Sequence, residues 1–588
     1  MRYLSSKILI VFLLVCSEAF ACTIFSAIAK NGQVWVGNNE DNNFSFYNYI
    51  NVFPKNQSIK YGYYTLSYDS PENGKNFNIQ GGMNEAGLFY DFNILTESGV
   101  QYIINNLDKK KSFPGGDQAI LSHILANFGT VQEVIDFFEV YWFDIGFKGA
   151  QMHLADKYGN FGMIDPTGSR ILKNAPYQLS TNFSICAKED AGTCWRYPIA
   201  KEVLENKGPS LDTFNAICKK TAQKGPLATI YSNIQNLTTG DIWFFFGLDY
   251  ENSFNVNIKE LLGWGQKSYL MRDLFPKHPL SQAYSLYKAG HEEEALKTLN
   301  SFELDREMKN TVLAAFVTNQ IGSQYDLNAL PFLEEYLKSD PIGHWMIGAR
   351  AIAYYNRGNK GKAIAIVKEY QKKYPDTSMD VPYILTRFNG EFEKGFNTTI
   401  KLNENRDARD VFVKGLPGGI YNYMSKSNDG WVLKVNLPDG VYDYSFVVDG
   451  REVFDEKVKL YTKNNPFSQK EERTHRLALN TSLEAYDTRI RVVVPNASDE
   501  VYIAGNQRSL ANWGSVFRME RISDFEREIN VKLHYPTMLK FTRGNWASEA
   551  VVEGLPFDNE ENSYPPIQLK KKINAVEFKI IDWKDQIP

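Results

Sequence analysis

The chain has 588 residues, 43% of them hydrophobic and 14% aromatic, the composition of a folded protein and a length that predicts three or four domains. Its 65 basic and 69 acidic residues leave a net charge of −4 and a pI of about 6.1, which gives no electrostatic footprint for nucleic acid. After the first 21 residues no apolar run approaches the roughly 20 residues that a membrane span needs.

The chain opens MRYLSSKILIVFLLVCSEAFA: basic Arg2 and Lys7, an apolar run from Ile8 to Val15, then Ala19-Phe20-Ala21. This is the anatomy of a signal peptide over 1–21 and predicts a secreted or periplasmic protein. Cleavage after Ala21 would leave Cys22 first, its thiol and a free α-amine on one residue. A thiol is a strong nucleophile, and an α-amine of pKa about 7.7–8.0 is a usable base at neutral pH. Two other fates compete for Cys22. It could enter a disulfide, as secreted cysteines often do. It could be lipidated, although bulky Phe20 and Ala19 make a poor lipobox.

Cys22 begins CTIFSAIAKNGQVWVGNNEDNN, an alternating segment with a Lys-Asn-Gly turn that predicts a hairpin returning Asp41 to the cysteine. GGMNEAGLFYDFN (81–93), AQMHLADKYGNFGMIDPTG (150–168), STNF (180–183) and CWRYPIA (194–200) follow. This series resembles the cysteine-type N-terminal-nucleophile (Ntn) hydrolases: choloylglycine hydrolases, penicillin V acylases, acid-ceramidase-like amidases and acyl-CoA:6-aminopenicillanic acid acyltransferases. It covers roughly Cys22 to Phe275. The resemblance implies Cys22 as nucleophile and base, Asp41 as the holder of the terminal amine, and Asn93 and Asn182 as the asparagines of the site, the first in the oxyanion hole. It also implies Arg196, in Trp-Arg-Tyr, as a later arginine of the site. The chain departs at Asn38, where the family pattern Gly-Arg-Asn-x-Asp has an arginine beside the sulfur. Either another cation substitutes, or the reaction differs.

The residues suit those roles on chemical grounds. Amide hydrolysis needs a nucleophile, a proton shuttle and donors aimed at the developing oxyanion, and asparagine amides are neutral donors. A carboxylate beside the terminal ammonium would raise its pKa. No metal site is expected, since the seven histidines are scattered with no HExxH and no His-Cys cluster. Walker, dinucleotide-binding and GxSxG patterns are absent, so no cofactor is expected. His153, in an alternating strand, is expected to be a core histidine. Cys186 and Cys194 bracket a short loop that a disulfide could close. Cys22 and Cys218 remain, and hydrolysis requires Cys22 free.

Runs such as VWVGN, GAQMHLAD and DIWFFFGLD alternate with helical GDQAILSHILANF and TVQEVIDFFEVYW. The fold expected over 22–276 is α+β, the αββα sandwich that the resemblance implies. Over 279–390 the pattern turns all-α. AYSLYKAGHEEEALKTL and ARAIAYYNRGNKGKAIAIVKEYQKKYPD resemble tetratricopeptide units, either a groove for a peptide or protein partner or a small helical linker. Two all-β Ig-like sandwiches are expected, over 395–470 resembling glycogen-binding modules and over 482–588 resembling starch-binding modules. There Trp513 and Trp546, with Trp431 as a third, are the candidates for stacking on an α-glucan, against a core role for each. The expected activity is an exported cofactor-free amidase or acyltransferase acting on a small-molecule linear amide through a Cys22 acyl-enzyme. The competing expectation is a non-catalytic surface protein that binds glycans and retains a degenerate Ntn scaffold.

Overall fold

The computed structural model describes residues 22–586 except 69–78, 96–109, 114–115, 143–148, 188–193, 226, 320–323, 326–328, 340–343, 374–384, 386–387, 389–396, 417–421, 436, 438–439, 450, 465–470, 481–483, 508, 511–516, 545 and 557–563. The expected signal segment lies outside these residues. The chain divides into two compact units, Met1–Ile321 with Ala329–Gly343, and Gly322–Asn328 with His344–Pro588. The division falls inside the segment expected to form one helical region.

The first unit begins with β1 (Thr23–Ile28) and β2 (Val34–Asp41), followed by β3 (Asn48–Phe53), β4 (Tyr63–Tyr68), β5 (Ile79–Asn84) and β6 (Leu88–Ile94). Helices α1 (Gly116–Asn127) and α2 (Val131–Val140) come next, then β7 (Ala150–Asp156), β8 (Asn160–Asp165), β9 (Gly168–Lys173) and β10 (Tyr177–Ser180). Helices α3 (Arg196–Asn206) and α4 (Leu211–Thr221) precede β11 (Thr229–Asn236), β12 (Asp241–Phe246), β13 (Asp249–Asn257) and β14 (Lys267–Leu270). These strands make two sheets, ordered β10-β1-β2-β11-β12-β13 and β9-β8-β7-β6-β5-β4-β3-β14. The β1–β2 pair is antiparallel, with Thr23 opposite Asn39 and Ile24 opposite Asn38. That is the hairpin the Lys-Asn-Gly turn predicted.

Each sheet carries helices on its outer face. Helix α2 starts at a capping box, in which Thr130 and Glu133 satisfy each other's backbone amides, and buries Val131, Val134, Ile135 and Phe138 at helical spacing. With α1 it covers Leu88, Tyr90, Leu154 and Ile164 of the eight-stranded sheet. Phe214 and Ile217 of α4, with Ala200 and Val203 of α3, cover Phe25, Trp35, Ile234 and Phe245 of the six-stranded sheet. The inner faces meet each other, and the alternation of the strands decides what lies between them. The outward residues just named are apolar. The inward ones include Asn38, Glu40, Asp91, Asn93, Gln151, His153 and Asn233, all buried. A polar interior between two sheets is costly unless its groups are paired or have a task.

His153 is the core histidine expected of it. Its Nε2 meets Ser26 Oγ at 2.7 Å and its Nδ1 meets Ser180 Oγ at 2.9 Å, joining the sheets. Burial, aided by Arg170, pushes its ring down to about 3, so it is neutral.

The unit continues in helices Pro279–Lys288, Glu292–Asn300, Arg306–Val317 and Leu330–Ser339. Gly290, at φ +85°, turns the chain between the first two; Gly358, at φ +83°, does the same between His344–Asn356 and Lys360–Lys373 of the second unit.

The rest of the second unit is all-β. One sandwich packs Thr398–Leu402 and Gly430–Val435 against Val411–Lys414 and Gly440–Val448 around Leu402, Val411, Leu433 and Phe446. Its strand Glu471–Leu479 pairs with Gly440–Val448, so it runs past residue 470. The other is built on Tyr486–Val493, Glu526–Leu533, Thr537–Thr542 and Ala575–Trp583 around Val492, Leu539 and Trp583.

The expected sugar platform needs correction. Trp431 is 1% exposed in the core, and its indole N–H donates to the Asn405 carbonyl at 3.0 Å, so its faces are unavailable to a sugar. Trp546, in the turn Trp546–Ser548, is 45% exposed. Trp513 lies outside the described residues. Among the described residues no helix is long and apolar enough to cross a membrane.

Candidate active site

Cys22 stands at the head of β1 and is buried, with a free thiol. The register carries Thr23 opposite Asn39, and one step further brings Cys22 opposite Glu40 on β2. Directly opposed residues on one face have Cβ atoms about 4.5–5.5 Å apart. Glu40 accordingly sets its carboxyl against both the Cys22 thiol and the Asn38 amide. The backbone N–H of Asp41 donates to the same sulfur.

Across the gap, β6 presents Asp91 and Asn93 two residues apart on its inner face. Asn93 Nδ2 donates to the Cys22 carbonyl at 2.9 Å. Asn38 Nδ2 donates to Asp91 Oδ2 at 2.8 Å, and the Phe92 N–H donates to Asp91 Oδ1 at 2.8 Å. Gly81, on the next strand, makes room for this carboxyl: a Cβ there would lie 2.6 Å from Asp91 Oδ2.

A second group flanks the first. Arg196 begins α3 and is 2% exposed; its Nη1 meets Asp41 Oδ2 at 3.0 Å, and its Nη2 donates to Asn182 Oδ1 at 2.6 Å. Asn182 Nδ2 donates to the Ile94 carbonyl at 2.8 Å. The Thr229 hydroxyl donates to Asp41 Oδ1. The five residues singled out in the sequence, Cys22, Asp41, Asn93, Asn182 and Arg196, therefore converge. The Asp41 carboxyl, expected at the terminal amine, is engaged by Arg196 and Thr229, and it is the Asp41 backbone that reaches the sulfur.

Among the described residues no basic side chain acts on the Cys22 thiol. Burial raises the Cys22 pKa well above its ordinary value, and the charges that add to it are all negative, from Glu40, Asp41 and Asp91. Burial likewise raises Asp91 to about 7, against the Phe92 and Asn38 hydrogen bonds. Glu40 is raised well above the carboxylate range by burial, then by Asp91 and Asp41. Asp41 is raised to about 7 by burial, with Arg196 and Thr229 opposing. At neutral pH the thiol is protonated and needs a base to deliver its proton to.

The expected Cys186–Cys194 disulfide is absent, and both are free thiols. Each sulfur has another neighbour: Cys186 Sγ lies 3.8 Å from the Met163 carbonyl, and Cys194 Sγ lies 3.6 Å from Arg196 Nη2. Sequence reasoning missed Glu40 and Asp91. The signal was present in the pairs Asn38/Glu40 and Asp91/Asn93, polar residues two apart on one face of a strand. Among the described residues no group of His, Cys, Asp and Glu side chains could hold a metal ion.

No family model matches the sequence, and no curated protein matches it. Among solved structures, the chain is similar to penicillin V acylase from Agrobacterium tumefaciens at 19% identity and a TM-score of 0.34, over 42% of this chain and 90% of that one. It is similar also to two variants of conjugated bile acid hydrolase from Clostridium perfringens, each at 15% identity and a TM-score of 0.32 over 42% of this chain, covering 95% and 96% of theirs.

Proposed function

We propose that the first unit is an amidase with Cys22 as its nucleophile, exported and freed of residues 1–21 so that Cys22 bears a free α-amine. The observation that carries this reading is the environment of Cys22: a buried, unpaired thiol at a strand head, with the Asn93 amide on its own carbonyl. A structural cysteine has no need of that setting.

In this mechanism the thiol proton moves to the α-amine nitrogen as the sulfur attacks the amide carbonyl carbon. The Asn93 amide has a second N–H besides the one held by the Cys22 carbonyl, and it stabilises the charge that develops on the substrate oxygen. The intermediate collapses with cleavage of the C–N bond; the leaving nitrogen takes the proton and a thioester remains on Cys22. Water then attacks the thioester carbonyl, giving its proton to the amine, and the C–S bond breaks to release a carboxylic acid. An amine in place of water would make the same site an acyltransferase. Arg196 positions the site, holding Asp41 against Asn182.

The test is turnover of a panel of linear N-acyl amides by the wild type and by Cys22→Ala. Loss of turnover in the variant with an unchanged fold is expected; equal rates would exclude Cys22.

A further inference from the structure

Three carboxyls lie close enough to the Cys22 sulfur to act on it, those of Glu40, Asp41 and Asp91, and Glu40 acts most strongly. Two of them are fully engaged. Asp41 accepts from Arg196 at one oxygen and from Thr229 at the other. Asp91 accepts from the Asn38 amide at one oxygen and from the Phe92 N–H at the other. Glu40 differs. Its carboxyl meets the Cys22 thiol and the Asn38 amide, yet its Oε2 is buried with no hydrogen-bond partner among the described residues. A buried polar group left unpaired is costly and calls for an explanation.

Cys22 itself supplies a partner for that oxygen. It stands opposite Glu40, one register step beyond the Thr23–Asn39 pair. Its nitrogen and sulfur are joined through only the α- and β-carbons, so one carboxyl can face the sulfur with one oxygen and the nitrogen with the other. Cleavage after Ala21 turns that nitrogen from an amide into an amine, a base of pKa about 7.7–8.0. Burial holds the Glu40 carboxyl well above the carboxylate range, so at neutral pH it keeps its proton. A protonated carboxyl has one oxygen that accepts and one O–H that donates, the two ends of a proton relay. The imidazole between the sheets cannot serve in its place, because serine hydroxyls hold both nitrogens of His153.

We propose that Glu40 is a catalytic proton relay between the Cys22 thiol and the α-amine of the same residue, which rests on the reading of Cys22 as an amide-cleaving nucleophile. As the sulfur attacks, the S–H bond breaks and an O–H bond forms at Oε1. The O–H bond at Oε2 breaks and an N–H bond forms at the amine. The carboxyl ends as it began, neutral, and the net transfer is one proton from thiol to amine. The leaving nitrogen then takes a proton from the ammonium. Thioester cleavage resets the relay: the released sulfur takes the proton from Oε1, and the amine, protonated by the attacking water, returns one to Oε2.

The test is the rate at which p-nitrophenyl acetate acylates Cys22, in the mature and the uncut chain, for the wild type, Glu40→Gln and Glu40→Asp. Glutamine keeps the shape and accepts the thiol at its oxygen, but offers the amine an N–H that it cannot release. In the mature chain Glu40→Gln should lower the rate at least about 100-fold, the lower end of what a positioned acid–base group contributes. Glu40→Asp keeps the acid and should fall between glutamine and the wild type. The uncut chain has no free amine, so there neither substitution should alter the already slow rate. Cys218, 0% exposed in the same unit, should stay protected from alkylation in each folded variant. If it opens in Glu40→Gln, the loss in Glu40→Asp, present in the mature chain and absent from the uncut one, decides instead. Equal mature rates for Glu40→Gln and the wild type would overturn the relay, as would a Glu40→Gln variant faster than Glu40→Asp, or the same loss in the uncut chain. Each of these leaves Cys22 as the nucleophile. A mature wild type that is not acylated at Cys22 would instead sink the amidase reading, and the relay with it.

Discussion

Replacing Asp91 with asparagine should make the first unit more stable above neutral pH, the reverse of the usual result for a buried, hydrogen-bonded aspartate. Asp91 is 0% exposed, and its carboxyl is raised from 3.8 to about 7, chiefly by burial. A carboxyl whose folded pKa lies above its unfolded one contributes fully below about pH 4, and the contribution is lost as pH rises through about 7. At about 1.4 kcal/mol per pKa unit the full loss is about 4 kcal/mol, of which about 3 kcal/mol falls between pH 5 and pH 8. The substituted amide would stay neutral throughout. The variant should therefore exceed the wild type slightly at pH 5 and by up to about 4 kcal/mol at pH 8. The assay is a urea titration at each pH, read by pulse alkylation of Cys218, which is 0% exposed within this unit and reports its opening separately from the second unit. Equal midpoints at pH 8, or a weaker variant there, would refute the view that Asp91 is held neutral by desolvation.

Asn38→Arg should place a cation among Glu40, Asp91 and the sulfur and so lower the thiol pKa; the pH profile of Cys22 alkylation should shift to lower pH, and an unchanged profile would contradict the geometry. Asn93→Ala should lower kcat about 10²–10³-fold with KM less affected, as loss of one oxyanion donor does, which steady-state kinetics would show. Arg196→Met strands a buried Asp41 and should cost about 3–5 kcal/mol in the same Cys218 titration. Trp431→Ala should cost about 3–5 kcal/mol in the second unit, whereas Trp546→Ala should stay within about 0.5 kcal/mol, and thermal melts of the two separate core from surface.

The hairpin of β1 and β2 was legible because its signal is local: alternation on both arms and a turn whose chemistry is explicit. Cys22, Asp41, Asn93, Asn182 and Arg196 were legible as a set through their order along the chain. What each one touches was not. That the Asp41 carboxyl turns to Arg196 while its backbone faces the sulfur depends on a strand pairing and on a helix start 155 residues away. The carboxyls of Glu40 and Asp91 were hidden for a related reason. Each sits among strand residues whose inner face looks, in sequence, like a face open to water, and only the second sheet makes it a buried interior. Trp431 failed as a sugar platform because a tryptophan on a short strand looks the same whether its face turns to solvent or to the opposing sheet. The Cys186–Cys194 pairing rested on loop length alone, which says nothing about where the sulfurs point.

The most direct test of the central claim is the intact mass of the exported protein before and after brief exposure to an activated acyl donor such as a p-nitrophenyl ester. The expected result is a chain beginning at Cys22 that gains one acyl group, mapped to Cys22 and labile to hydroxylamine, with no gain in Cys22→Ala. A chain that retains residues 1–21, or acylation that persists in Cys22→Ala, would contradict it.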